Sequence, residues 1–235
     1  MANNYFSFKQ FTIYQDKSAF KVGTDGVLLG AYADLTGVTN ILDIGSGTGL
    51  LSIMLAQRCD ATITAIEPDY DSFIQSCENV NLVDWRNRIK IVNADLQNFD
   101  PVNEKFDLIV TNPPYFCDSL KSPDLRKTAA RHNDSLTSVE ILEGVKRLLK
   151  EDGRFQLIMP YVEGNIFIAD ASKYGFYCNN ILKIRPLSES EIRRLILNFS
   201  KTRKTPVEKF LTIEHGRHHF TDDYINLTKD FYLKF

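Results

Sequence analysis

This sequence predicts an α/β fold, a mostly parallel sheet with helices on both faces, and three observations carry that expectation. Short apolar runs rich in β-branched residues alternate with stretches of helical periodicity from residue 39 to about residue 160. The first run leads directly into a glycine-rich turn, Gly45-Ser46-Gly47-Thr48-Gly49. Asp43, Glu67, Asp95 and Asn112 then stand at the ends of four successive apolar runs. Open α/β sheets bind ligands at the carboxyl ends of their strands, so this recurrence is more than loop chemistry requires.

Taken in order, residues 39–44 read as a first strand, and Leu50, Leu51, Ile53, Met54, Leu55 and Ala56 supply a helical pattern after the glycine turn. Residues 61–66 form a second strand ending at Glu67, residues 89–92 a third leading to Asp95, and residues 106–111 a fourth ending at Asn112. Residues 139–150 have helical periodicity and stop at Asp152-Gly153, after which 155–159 read as a fifth parallel strand. A helix over 166–174 follows, then strands near 180–184, 195–199 and 210–213 that include a late hairpin. The closing stretch, 224–235, reads as a helix with alternating packing and solvent positions.

The glycine turn between a strand and a helix lets a ligand approach the backbone and the free N–H groups of the helix start. The dinucleotide fingerprint spaces its glycines G-x-G-x-x-G, whereas here Gly49 comes two residues after Gly47. Asp43 would repel a pyrophosphate and attract a cationic ligand, and S-adenosylmethionine carries both a sulfonium and an α-ammonium. Glu67, beside Pro68, is placed to accept from ribose hydroxyls; Asp95 is placed to accept from an adenine amino group, with Leu96 offering its N–H. Each feature has a plainer alternative: a flexible turn, or solvated loop acids.

Asn112-Pro113-Pro114-Tyr115 puts rigid hydrogen-bond acceptors at the end of a buried strand. An amine conjugated to a π system is a poor nucleophile. The Asn112 amide oxygen and the Pro113 carbonyl can accept both of its N–H bonds, localise its lone pair and aim it. Tyr115, with Phe116, would wall the slot for the target ring, a stacking contact contributing about 1–3 kcal/mol per base. The alternative is a Pro-Pro turn that closes a strand.

Together these residues resemble the class I S-adenosylmethionine-dependent methyltransferases, in the branch carrying the N-P-P-Y motif, from about Lys21 through Pro160. Within that branch the sequence is similar to the tRNA N6-methyltransferases that modify adenine 37 beside a valine anticodon. Phe20-Lys21-Val22-Gly23-Thr24-Asp25-Gly26, Ala130-Arg131-His132 and the stretch from Tyr224 to Phe235 carry that likeness. The resemblance implies one Rossmann-like domain over residues 1–235 and a seven-stranded mixed sheet of order 3-2-1-4-5-7-6, with the seventh strand antiparallel. It also implies an N-terminal segment, 1–38, that closes over the cofactor through Lys21 and Thr24, and a core over 39–235. The implied activity is N6-methylation of adenine in tRNA. The alternatives are glutamine N5-methylation of a protein such as a release factor, or N-methylation of rRNA.

Composition fits one compact enzyme: 235 residues with 43% hydrophobic content can bury a substantial core. No apolar run is long enough to span a bilayer, and the N-terminus lacks the pattern of a secretory signal. Cys59, Cys77, Cys117 and Cys178 are scattered and read as reduced thiols, and the four histidines form no metal motif, so a cytoplasmic protein without a metal is expected. A monomer is favoured. The net charge of −2 says little about partners, but local clusters say more. From Lys183 to Lys209 eight basic residues face three acids, and Lys121, Arg126, Lys127, Arg131 and His132 follow the proposed catalytic loop. Gathered on one face, these would hold RNA phosphates, with Lys201, Arg203 and Lys204 the segment singled out for contact; a solvated charged face is the alternative reading.

Overall fold

A computed structural model describes residues 3–102, 104–114 and 136–235. The chain opens with a small hairpin, β1 (Tyr5–Ser7) and β2 (Thr12–Tyr14), followed by helix α1 (Thr24–Tyr32). Strands β3 (Asn40–Ile44), β4 (Thr62–Ile66), β5 (Ile89–Val92) and β6 (Phe106–Thr111) then alternate with helices α2 (Leu50–Arg58) and α3 (Tyr70–Asn81). Helix α4 (Ser138–Leu148) leads into β7 (Leu149–Pro160), and α5 (Tyr161–Lys173) into β8 (Tyr177–Leu187). The chain finishes with β9 (Arg194–Ser200), β10 (Val207–Gly216), β11 (His219–Phe220) and the short helix α6 (Asp222–Thr228).

The main sheet runs β5-β4-β3-β6-β7-β9-β8-β10-β11. Counted along the chain from β3, that order is 3-2-1-4-5-7-6-8-9. The expectation of a seven-stranded sheet is thereby corrected to nine strands among the described residues. β10 pairs parallel with β8, and β11 folds back antiparallel on β10, so two strands lie beyond β8, where the seven-strand order ends. β9 is antiparallel to both neighbours, β7 and β8.

Strand periodicity explains the layers. Along β3, Ile41 faces one core with helices α1, α2 and α6, while Leu42 and Ile44 face a second core with α4 and α5. Both faces of the central strands are covered, which is why β3 and β6 read as continuous apolar runs rather than alternating ones. Fully burying each Leu, Ile or Phe of these layers contributes about 1.5–3 kcal/mol.

Several boundaries move. Helix α5 starts at Tyr161 rather than near 166, directly from Pro160, and β7 begins at Leu149 rather than 155. The C-terminal stretch is helical only to Thr228; beyond it Phe231 and Tyr232 pack beside Phe8, and the Lys9 N–H donates to the Phe231 carbonyl at 2.8 Å. The 1–38 segment is largely built into the body. α1 buries Gly26 through Ala31, and the hairpin is stitched to α3 where the Asn79 carboxamide pairs with both backbone groups of Tyr14 at 2.9 and 2.8 Å.

Candidate active site

The carboxyl ends of β3, β4 and β6 and the turns after them open into one cleft of about 1370 Å³. Asp43, Gly45, Gly47, Glu67, Pro68, Asp95, Leu96, Asn112, Pro113 and Pro114 all line it, as do Lys21 and Thr24 from the segment before β3. The arrangement follows from the strand order. β6 lies next to β3, and the Thr111 hydroxyl donates to the Ile44 carbonyl at 2.8 Å, so Asn112 emerges beside the glycine turn although 67 residues separate the two bonded positions.

The turn itself needs glycine. Gly45, Gly47 and Gly49 have φ of 74°, 56° and 80°, in the left-handed region that other L residues enter at a cost. A Cβ at Gly45 or Gly47 would meet no atom within 4 Å, so both glycines border open space. The N–H groups of Gly45 and Ser46 donate to the Ile66 carbonyl at 2.9 and 3.1 Å, which fixes the turn to the end of β4. Gly49 is itself the N-cap of α2.

Asp43 is 1% exposed and accepts from the Ser52 hydroxyl at 2.7 Å; burial pushes its carboxyl up to about 6. Glu67 is 7% exposed, and burial likewise raises it to about 7, against two backbone bonds that favour the charged form. Its two oxygens accept from Gly47 N–H at 2.8 Å and Asp69 N–H at 3.0 Å, so the same side chain borders the cleft and braces the glycine turn. Asp69 caps α3 by accepting from Ser72 N–H at 2.9 Å.

Asp95 accepts from the N–H and the side-chain amide of Asn98 at 2.8 and 3.0 Å, and those bonds hold its carboxyl below the usual range. Leu96 next to it is buried against α4. Arg147 of that helix clamps the turn, its guanidinium donating to the carbonyls of Leu96 and Phe99 at 2.7 and 2.6 Å. Gly144, one turn earlier, allows the close approach: a Cβ there would sit 2.5 Å from Leu96 Cγ.

On the far wall, a Cβ at Gly26 of α1 would lie 3.6 Å from Asn112 Nδ2, so α1 backs the Asn112 amide. Thr24 begins that helix, and Lys21 donates to the Asn3 carbonyl at 3.1 Å. Tyr115, Phe116, Arg126, Arg131 and His132 lie outside the described residues.

Lys201, Arg203 and Lys204 are not brought to the cleft. β9 runs antiparallel to β7, with Arg194 opposite Pro160 and Ser200 opposite Arg154, so residues 201–204 emerge at the opposite end of the strands from the cleft. There Lys201 pairs with Glu151 at 2.9 Å and Arg203 lies over the Tyr177 ring. Of the basic residues between 183 and 209, Arg193 and Arg194 line the cleft, just before and at the start of the same strand. Sequence reading counts both without separating them from the rest. Arg194 pairs with Asp25 of α1 at 2.7 Å. Among the described residues, no group of three His, Cys, Asp or Glu side chains is placed to hold a metal ion, and no helix is long and apolar enough to cross a membrane.

Comparison with known proteins adds three findings. Residues 22–162 match the model of the methyltransferase small domain. Over full length the chain is 43% identical to a Bacteroides fragilis protein named tRNA1(Val) (adenine(37)-N6)-methyltransferase, covering 100% of both chains. It is 46% identical to the protein of the same name from Phocaeicola vulgatus, covering 99% of each. Among solved structures, a predicted O-methyltransferase from Agrobacterium tumefaciens shares the fold with a TM-score of 0.69 at 21% identity, over 88% of this chain and 96% of that one. A methyltransferase from Pyrococcus furiosus does so at 0.53 and 22%, over 75% and 81%.

Proposed function

We propose one reaction for this chain, which belongs to the family of the tRNA1(Val) (adenine(37)-N6)-methyltransferases and carries the methyltransferase small domain: N6-methylation of adenine 37 in the valine tRNA. S-adenosylmethionine is the methyl donor, and when bound it supplies a methyl group already activated by its sulfonium. The chain's own residues fit that cofactor. Open space faces Gly45 and Gly47, the Ser46 hydroxyl is buried without a hydrogen-bond partner among the described residues, and Glu67 stands beside both at the cleft wall.

The observation that carries the reading is Asn112-Pro113 in the same cleft as the glycine turn and Glu67. Asn112 Oδ1 and the Pro113 carbonyl accept the two N–H bonds of the adenine amine, which draws its lone pair out of the ring and fixes its direction. The prolines limit motion of both acceptors. Tyr115 stacks on the base in this proposal. An anticodon loop offers bases that are already partly unpaired, which lowers the cost of moving one into the slot. No strong base is required, because the nitrogen becomes acidic as it is alkylated and its proton passes to water.

Two measurements test this. Labelled S-adenosylmethionine, incubated separately with tRNA, rRNA, DNA and release factor, is expected to label tRNA, with the label recovered as N6-methyladenosine after digestion. Label in a glutamine side chain, or in rRNA alone, overturns the proposal. Asn112→Ala is expected to lose nearly all turnover while its Kd for S-adenosylhomocysteine stays near that of the parent chain.

A further inference from the structure

The sheet order divides the cleft into two halves about Asn112. On one side of β6 lie β3, β4 and β5, whose ends carry Asp43, Glu67 and Asp95. On the other side lie β7, β9, β8 and β10, and from these the cleft takes Ile184, Pro186, Arg193, Arg194 and Ile213. Asp43, Glu67 and Asp95 in the first half suit a cationic cofactor and repel phosphate. The second holds two arginines, with Asp25 of α1 against one of them, and apolar side chains.

The two arginines differ in what they are free to do. Arg194 is committed to Asp25. Arg193 is exposed, and among the described residues no carboxylate or other acceptor pairs with its guanidinium. Its backbone is nevertheless fixed on both sides: its N–H donates to the Ile184 carbonyl at 2.8 Å, and its own carbonyl accepts from Tyr161 N–H at 3.1 Å. A long cationic side chain therefore projects from a rigid base at the mouth of the cleft, two strands or about 10 Å from the strand that ends in Asn112. The acids of the connection before it, Glu189 and Glu191, are exposed and are not among the cleft-lining residues.

We infer that Arg193 holds a backbone phosphate of the RNA beside the flipped adenine, and so positions the substrate for the amine to meet Asn112. Arginine suits this task because its planar guanidinium pairs two N–H groups with two phosphate oxygens. The inference rests on the RNA reading above and moves the phosphate contact from residues 201–204 to the opposite end of β9.

The test compares Arg193→Ala, Arg193→Lys and a double Arg203→Ala, Lys204→Ala variant of the full chain, using tRNA and S-adenosylmethionine. Arg193→Ala is expected to raise KM for tRNA about tenfold, with kcat and the Kd for S-adenosylhomocysteine within twofold of the parent. Its dependence of log KM on log salt is expected to flatten by about 0.7 for each single-strand phosphate that is no longer neutralised. Arg193→Lys, which keeps the charge without the two-pronged geometry, is expected to recover part of the affinity and to restore the salt slope, whereas a purely structural role would give no such rescue. A raised Kd for S-adenosylhomocysteine in Arg193→Ala would place the guanidinium on the cofactor instead, and an unchanged KM with a weakened double variant would return the phosphate to residues 203 and 204. Either result overturns the inference. A parent chain that labels protein or rRNA and leaves tRNA unlabelled would instead overturn the RNA reading, before any variant is compared.

Discussion

The carboxylate of Glu67 has two demands placed on it, since it braces the glycine turn through Gly47 N–H and also stands at the cleft wall, where burial lifts it from 4.5 to about 7. Between those values the folded chain keeps a proton that the unfolded chain has released. This group therefore contributes stability that is fully present below 4.5 and is lost as the pH rises through about 7. Asp43, raised from 3.8 to about 6 by burial, acts in the same direction. Glu67→Gln keeps the shape and removes the titration. Its melting temperature relative to the parent is expected to climb as pH is raised from about 5 to about 8, in apo protein scanned by calorimetry; a difference independent of pH would refute the assignment. At this scale the sequence is informative where chemistry is local. Gly45, Gly47, Glu67, Asp95 and Asn112 each follow an apolar run and line one cleft, whereas Gly49 caps α2 and is not among the lining residues. Arg193 is not legible as a site residue, because its position depends on which way β9 runs. The antiparallel sense that the resemblance implies for the seventh strand is what carries Lys201, Arg203 and Lys204 to the end of the strands away from the cleft.

Among the elements, α4 shows how a helix bordering the cleft shapes it. Thr137 and Glu140 close a capping box that starts it, Gly144 lets Leu96 seat against it, and Arg147 ties down the carbonyls of Leu96 and Phe99. Gly144→Ala forces a methyl into the Leu96 side chain, which is buried and has little room to yield. Overpacking of this kind costs about 1–3 kcal/mol, so a lower denaturation midpoint is expected, together with a raised Kd for S-adenosylhomocysteine because the Asp95-Leu96 turn moves. Normal affinity in a destabilised variant would separate the helix from the site. Buried parallel strands are the most readable elements, since β3, β4 and β6 are largely buried on both faces and are predominantly apolar. The β1–β2 hairpin escapes sequence reading: each strand is three residues long, and its anchors are Gln75 and Asn79 on α3, far away in sequence. α5 hides its first turn because Gly164, packed on Leu195, stands where a bulky apolar residue would have marked the helix face.

For the molecule as a whole, the nine-stranded sheet joins early and late parts of the chain, and β10 and β11 extend it past β8, where the seven-strand order stops. Sequence reading places a strand near 210–213, inside β10, but its parallel pairing with β8 depends on contacts distant in sequence, and β11 is only two residues long, too short to carry a pattern. The order has a consequence in time. β3, α2 and β4 are consecutive, so the pocket wall bearing Asp43, the glycine turn and Glu67 closes through short loops. The corner at Asn112 joins it only when β6 inserts beside β3, a pairing that spans 67 residues. During refolding from denaturant, binding of a fluorescent S-adenosylhomocysteine derivative is therefore expected to return in an earlier kinetic phase than methyl transfer, and simultaneous recovery would mean that both walls assemble in a single step.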